Sequence, residues 1–579
     1  VTGIEPAGVE TTRAPVTDGR VAEASGGEGY ALAVRSASSM RPEAVQARPL
    51  SALASLLGPS SSAVPSPGAR VVRGAVTGVT LDSRRVRRGD LYVAVAGTSR
   101  HGAEFAGAAL AAGAAAILTD PEGRDAAAAT GLPVLVVPDP RAVLGQVASW
   151  VYGRPASGIT LIGVTGTSGK STSTFLLEAG LRAAGHRTGL VGGVEIRAGD
   201  VRFTPDLTTP EATDLQALFA LMREQGVSAA AMEVSSHALA LGRVDGLFYD
   251  VSIFTNLSQD HLDFHRDLDD YFAAKARLFT PEFSRLGVVN ADDAHGRELA
   301  GTAKIPITTF SATGAPEADW RAEDVRLGSG GSRFRLVGPG GVEADVAVAL
   351  PGPFNVANTL GALVALVETG VPLQAAVTGV GEFTGVPGRM ERVPGDGDVP
   401  GDVQVIVDYA HKPGAVESVL SSLRAVLDDA PDKGQGSTRD DGPGGRLVVV
   451  LGCGGDRDRG KRPMMGEAAA RLADVAILTS DNPRTEDPLA ILAAMLEGAL
   501  RVPPQERAHV VVEPDRAAAI RLAVGGASPG DVVVVAGKGH ELGQYVGGEV
   551  IPFDDREVAA AAIAERNRAR RAAGETAGA

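Results

Sequence analysis

The chain holds a single cysteine, Cys453, in 579 residues. That excludes a disulfide framework and any cysteine-built zinc site, and it fits the reducing cytoplasm, the expected location. Positive charge is in deficit too: 55 lysines and arginines face 70 acids, for a net charge of -15. A general nucleic-acid binder needs a basic surface for counterion release, so that class is excluded. An anionic small substrate is still allowed, held by a few cations in one cleft. Long apolar runs are missing as well. The longest, "FAGAALAAGAAAIL" from Phe105, falls short of the roughly 18 residues of a spanning helix, and its alanines read as a packed helix.

What is present is 44% hydrophobic sequence, ample for two to four domains. Residues 1–48 mix Gly, Ser, Pro, Glu and Arg without an apolar period and are expected to be a disordered extension. Their acids argue against a signal peptide. Val1 and the downstream Met40 suggest an over-long gene start.

Three α/β blocks follow, at 49–157, 158–387 and 388–579. The first has short strands such as "LYVAVAG" and "LPVLVVPD" between Ala-rich helices. The second opens with "ITLIGVTG", a β-branched strand running into "TSGKS" and the helical "TSTFLLEAGLRAAG". Its further strands, "VSAAAMEVSS" and "YDVSIFTNLS", alternate with helices as in a parallel sheet flanked on both faces. In the third block "VQVIVDYAH", "RLVVVLGCGGDRD", "VAILTSDNPR" and "DVVVVAGKGHE" each end in a polar or glycine-rich loop. Such loops gather at the carboxyl edge of an open parallel sheet, where ligands bind. Residues 428–445 read as a turn-rich, mobile insertion.

In "GVTGTSGKSTST" (Gly163–Thr174) the place six before Lys170 holds Val164, where the common phosphate loop has glycine. A solvated Gly/Ser turn is the bland alternative in a chain with 74 glycines. The strand before and helix after favour phosphate binding, with backbone N–H groups freed at Gly166 and Gly169 and the helix end aimed at the same anion. Lys170 would reach the outer phosphates and Ser171 a Mg²⁺ ion. Glu233 and His261 both follow strands of this sheet, so Ser171, Glu233 and His261 are the candidate metal group.

"GVTGTSGKSTST", "MEVSSHAL", "TNLSQDHLDFH" and "YFAAKARLF" occur in the order and context of the Mur ligases, and the chain resembles that family from about residue 49 to 565. These are ATP-dependent amide-forming enzymes of bacterial cell-wall stem-peptide synthesis. Their loop is spelled G-T-x-G-K-[ST], as here. Folylpolyglutamate synthase shares that spelling, so the loop alone does not choose.

The resemblance implies a three-domain α/β architecture: a uridine-nucleotide domain, a central P-loop ATPase-like sheet and a C-terminal Rossmann-like domain. It also implies ATP and Mg²⁺ as cofactors, an acyl-phosphate mechanism, and a monomer that neither binds nucleic acid nor enters a membrane. By resemblance Lys170, Glu233, His261 and Lys275 are catalytic, with Lys275 carbamylated. ATP would be held by Gly166, Thr167, Ser168, Gly169, Lys170, Ser171, Thr172, Asn355, Arg389, Asp408 and His411, with Asn358 a weaker candidate than Asn355. Leu81, Ser83, Thr98, Ser99, Arg100, Thr208, Thr209, Ser235 and Arg243 would contact a UDP-N-acetylmuramoyl dipeptide.

"SDNPRTEDP" is the spelling of family members that add meso-diaminopimelate as the third residue, where others add lysine. Diaminopimelate differs by a distal carboxylate, which a guanidinium grips with paired charge-assisted hydrogen bonds. Arg484 is the expected clamp, with Arg457, Asp481, Asn482, Pro483, Gly537 and Glu541 completing the pocket. The rival readings are lysine as acceptor, folate-type polyglutamylation, and a P-loop module that binds ATP without ligation.

Overall fold

The computed structural model describes residues 34–36, 40–58, 61–64, 73–97, 99–328, 330–394, 403–428 and 445–577. Residues 429–444, nearly all of the expected insertion, lie outside them. The described residues build three main sheets.

The first sheet runs in the order Ser62–Val64, Val134–Val136, Ala116–Thr119, Asp90–Ala94, Gly78–Thr80, parallel except for its first strand. The single helix expected over 105–118 is broken here. A short helix, Ala106–Ala111, ends before Gly113 (φ 97°), and the chain re-enters the sheet as Ala116–Thr119. A strand buried on both faces is as uniformly apolar as a buried helix, so the alanine run could not separate the two.

The central sheet has twelve strands. Its parallel heart runs Thr188–Val191, Ala229–Glu233, Thr160–Thr165, Tyr249–Phe254, Ser284–Asn290, Ile307–Ser311. Helices Lys170–Ala183 and Pro353–Glu368 cover one face through Leu176, Leu177, Leu360 and Leu363. Helix Ala212–Glu224 covers the other through Leu215, Leu218 and Phe219. That helix also turns Ala212, Ala217 and Ala220 into the core beneath the first sheet, which welds the first two blocks together.

The expectation of a disordered head is corrected where the head is described. Val34–Ser36 pairs in parallel with Val201–Thr204 at the sheet edge. Met40 is buried in the central core, and Arg41 meets Asp90 of the first sheet at 2.7 Å, both nearly buried. Residues 1–33 and 37–39 lie outside the described residues. A short strand and one buried ion pair need no apolar period, so composition could not reveal them.

The third sheet runs Glu391–Arg392, Gln404–Asp408, Val532–Ala536, Leu447–Cys453, Val475–Ser480, His509–Val512, parallel after its first strand. The four inner strands, rich in valine, are buried on both faces. Their carboxyl ends release the loops at 409–412, 454–460, 481–487 and 537–542. Among the described residues no helix is long and apolar enough to cross a membrane.

Candidate active site

The strand Thr160–Thr165 ends at Gly166 (φ 147°), and Gly169 (φ 88°) caps helix Lys170–Ala183 in the left-handed region. A side chain at Gly169 would overlap the Asn358 amide, and one at Gly166 the Thr255 hydroxyl. Both glycines are therefore required by φ and by space. Asn256 seals the loop from the next strand: its Oδ1 accepts from Ser168 N at 3.0 Å and its Nδ2 donates to Ser168 O at 3.2 Å. The Lys170 ammonium donates to Gly166 O at 2.9 Å and Thr167 O at 3.0 Å. Burial and the neighbouring Lys412 bring that ammonium down to about 8, against the pull of Glu233 and Asp260.

Ser171 and Glu233 do come together. The serine hydroxyl donates to Glu233 Oε1 at 2.9 Å, and Gly193 N donates to the same oxygen at 3.0 Å. Two hard oxygens in contact at the end of a phosphate loop suit Mg²⁺, which takes one or two protein oxygens and fills its shell with phosphates and water. His261 lines the same cleft, but its Nε2 lies 3.0 Å from Asp260 Oδ2. Among the described residues no three His, Cys, Asp or Glu side chains form a metal-sized group. Burial, only partly offset by Asp260, lowers the His261 imidazole to about 4.

Lys275 is buried, its ammonium 2.9 Å from Gly166 O and 4.4 Å above the Tyr271 ring. Burial first, then Lys170 and Lys412, push it well below the ordinary lysine range. Tyr271 in turn meets Thr167 Oγ1 at 3.2 Å. Such an environment makes the Lys275 amine easier to deprotonate than that of an exposed lysine.

The third sheet closes on this loop. Asp260 pairs with Lys412, and although burial opposes it, Lys412 and His261 hold the Asp260 carboxyl down at about 2. Arg389 stacks over Tyr409 at 4.2 Å and reaches Ser171 Oγ at 3.4 Å. Asp408 accepts from Met390 N and Ala410 N, both at 2.7 Å. His411 Nδ1 lies 2.7 Å from Tyr409 O. Asn355 holds Pro351 O at 2.8 Å and accepts from Asn358 at 3.2 Å, so Asn358, the weaker candidate by sequence, is the one against Gly169. Thr167–Thr172, Glu233, His261, Lys275, Asn355, Arg389, Asp408 and His411 line one cleft of about 770 Å³.

The residues expected to form a second pocket gather at the carboxyl edge of the third sheet. Arg484 sits at φ 53°, a strained conformation for a side-chain residue. Its N donates to Tyr545 O at 2.9 Å, its O accepts from Gly547 N at 2.7 Å, and its Nη1 donates to Gly455 O at 2.6 Å. Asn482 Nδ2 donates to Glu541 Oε2 at 2.8 Å, and Asp481 lies alongside, buried. Pro483 is buried and Gly537 (φ 119°) faces the Asp481 carboxylate, whereas Arg457 is exposed on the loop after Cys453. The Asp481–Pro483 turn does not cap the helix Pro488–Ala499; Asp487 does that.

The dipeptide candidates fall in two groups. Thr209 Oγ1 donates to Glu233 O at 2.9 Å and accepts from Ser235 N at 3.2 Å, while Arg243 reaches Thr209 O at 3.5 Å. Thr208 lies beside Gly193. These four adjoin the phosphate loop. Leu81, Ser83, Ser99 and Arg100 sit on the loops of the first sheet; Arg100 is exposed, over Phe105 and 2.7 Å from Glu104. Thr98 lies outside the described residues. Arg85 reaches Asp214 at 3.0 Å and ties that loop region to the central domain.

Sequence reasoning missed Asp260, Lys538 and His540. His540 Nε2 lies 3.2 Å from Gly193 O, next to the N–H that holds Glu233. The loop that carries Glu541 therefore touches the residue whose N–H holds Glu233.

Family models match in three segments: "Mur ligase family, catalytic domain" over 75–152, "Mur ligase middle domain" over 164–366, and "Mur ligase, glutamate ligase domain" over 388–539. A relative from Streptomyces avermitilis, named UDP-N-acetylmuramoyl-L-alanyl-D-glutamate–2,6-diaminopimelate ligase, is 56% identical over 90% of this chain and 98% of its own length. One of the same name from Streptomyces coelicolor is 55% identical over the same shares. A solved structure of a ligase of that name matches with a TM-score of 0.60 and 34% identity, over 88% of this chain and 98% of that one. The chain belongs to the Mur ligase family.

Proposed function

We propose that this chain is an ATP-dependent ligase that joins the side-chain carboxyl of UDP-N-acetylmuramoyl-L-alanyl-D-glutamate to an amine of meso-diaminopimelate. One observation carries the reading. His540, on the loop that carries Glu541, reaches Gly193 O, and Gly193 N holds Glu233 beside Ser171, so an amine bound near Glu541 would lie toward the phosphate loop. The names of the relatives support the same substrates.

The chemistry has two steps. The glutamate carboxylate takes the γ-phosphoryl group of ATP, giving an acyl phosphate and ADP; the amine then attacks the acyl carbon, phosphate leaves and a proton is released. The first step brings together two anions, so the site must supply positive charge already in place. Lys170, the N–H groups of the loop and Arg389 supply it. Ser171 and Glu233 would hold Mg²⁺, which neutralises phosphate charge when bound. Thr208, Thr209, Ser235 and Arg243 would seat the dipeptide, with Leu81, Ser83, Ser99 and Arg100 toward its uridine end.

Lys275 would be carbamylated: burial and the neighbouring cations lower its pKa and so favour the free amine, whose nitrogen adds to CO₂, forming an N–C bond and releasing a proton. The resulting carboxylate would sit at Gly166, near Lys170 and Lys412. Arg484 would take the distal carboxylate of diaminopimelate, with Asp481 and Glu541 facing its ammonium.

The test is turnover with UDP-dipeptide, ATP and Mg²⁺ while the amine is varied. ADP release that requires both dipeptide and diaminopimelate is expected. ADP release without either would favour a nucleotide-binding module, and release with folates and glutamate would favour polyglutamylation.

A further inference from the structure

Lys538 stands at the end of strand Val532–Ala536, between Gly537 and Gly539, both at positive φ (119° and 54°). Its side chain has 0% exposure, so it presents no surface to solvent. Its ammonium donates to Asn482 Oδ1 at 2.9 Å and Glu541 Oε2 at 3.2 Å, and lies 3.6 Å from Asp481 Oδ1. These partners are three of the side chains that line the second pocket.

Two effects follow. The first is orientation. Asn482 Oδ1 accepts from both Lys538 and Tyr545 N, so its Nδ2 is turned toward Glu541 and the amide cannot flip without losing both bonds. The second is charge. Asp481 and Glu541 bring two negative charges to the pocket, and Arg484 and Lys538 bring two positive ones. Arg516, buried beneath, is already neutralised by two bonds to Asp555 at 2.7 Å, and Arg457 is in solvent. The pocket is thus balanced. The distal end of diaminopimelate is also balanced, an ammonium beside a carboxylate, whereas the distal end of lysine is a bare cation.

We propose that Lys538 is a specificity-determining positioning residue, which fixes the Asn482 amide and cancels one carboxylate charge so that a zwitterionic amino-acid end fits better than a cationic one. The proposal rests on the diaminopimelate reading above. Without Lys538 the pocket keeps a net negative charge, which favours a simple cation, and the Asn482 amide loses one of the two bonds that fix its oxygen.

The experiment compares the full-length wild type with Lys538→Met and Lys538→Arg, measuring kcat and KM for meso-diaminopimelate and for L-lysine at saturating dipeptide and ATP. In Lys538→Met, kcat/KM for diaminopimelate is expected to fall roughly thirtyfold or more, as for a buried charge pair that loses one partner. The loss should be carried by KM, the lysine-to-diaminopimelate ratio should rise about tenfold, and Lys538→Arg should recover most of the wild-type ratio. Equal losses for both amines, or an arginine variant as damaged as the methionine one, would overturn the proposal. Should Lys538→Met fail to melt cooperatively, Lys538→Gln, which drops the charge but can still donate to Asn482, runs the same ratio. The wild-type profile tests the substrate reading by itself: a wild type that prefers lysine overturns that reading, whereas an unchanged ratio in the variants overturns only the role of Lys538.

Discussion

At the scale of single residues, the site works by placing charges where water would otherwise dilute them. Arg484 is held by three hydrogen bonds, two of them through its strained backbone. Replacing it with alanine should lower kcat/KM for diaminopimelate about a hundredfold or more, the loss expected for a desolvated charge pair. Activity retained within about threefold would show that it is not the clamp. Lys170 carries a prediction about pH. A lysine whose folded value is lowered to about 8 destabilises the fold while charged, and the unfolded chain holds its proton up to the ordinary lysine range. The unfolded state then binds more protons above pH 8, so this contribution to stability rises with pH across that window. The melting temperature of the wild type minus that of Lys170→Met should increase between pH 8 and 10 in nucleotide-free protein, and a flat difference would contradict the assignment.

Lys275 gives a third test at this scale. In bicarbonate buffer the intact protein should gain the mass of one CO₂, mapped to Lys275 and lost on acidification; no gain would rule out carbamylation. Sequence alone made Lys170, Ser171, Glu233 and Arg484 legible, because each sits in a motif at a strand end. Lys538, within "GKGHE", gives no such signal. A lysine between two glycines reads as solvent-exposed until the fold brings Asn482 and Glu541 around it. Asp260 and Lys412 lie 152 residues apart, and no local pattern marks them as a pair.

At the scale of elements, the strand–loop–helix at Thr160–Ala183 is the part most fully written in the sequence. Its period changes from strand to helix across two glycines whose φ values only glycine adopts cheaply. Gly169→Ala should cost about 1–3 kcal/mol from backbone strain alone, and it also displaces Asn358. The expected outcome is a lower melting temperature together with at least tenfold weaker ATP binding by calorimetry; unchanged binding would mean that the loop does not hold phosphate. The alanine run at 105–118 shows the converse, since a buried strand and a buried helix present the same uniform apolarity. The strand Val34–Ser36 was illegible because three residues on a sheet edge leave no periodic trace.

At the scale of the whole molecule, three contacts hold the third sheet against the phosphate loop: Lys412 with Asp260, Arg389 with Ser171, and His540 with Gly193. Enclosure strengthens every electrostatic contact in the cleft and would keep water from the acyl phosphate proposed above. Lys412→Met should therefore raise KM for ATP severalfold and increase the radius of gyration in solution scattering without nucleotide. An unchanged radius and KM would mean that this ion pair does not hold the domains together. The order of the blocks was legible from strand-ending loops, whereas their closure was not, because it depends on pairs drawn from different blocks.

The most direct measurement offers meso-diaminopimelate and L-lysine together, at equal concentration, to the purified chain with UDP-dipeptide, ATP and Mg²⁺, and weighs the product. Diaminopimelate ligation predicts the diaminopimelate-containing UDP-tripeptide, formed with one ADP per amide. Equal incorporation of lysine, or no ADP release with either amine, would contradict it.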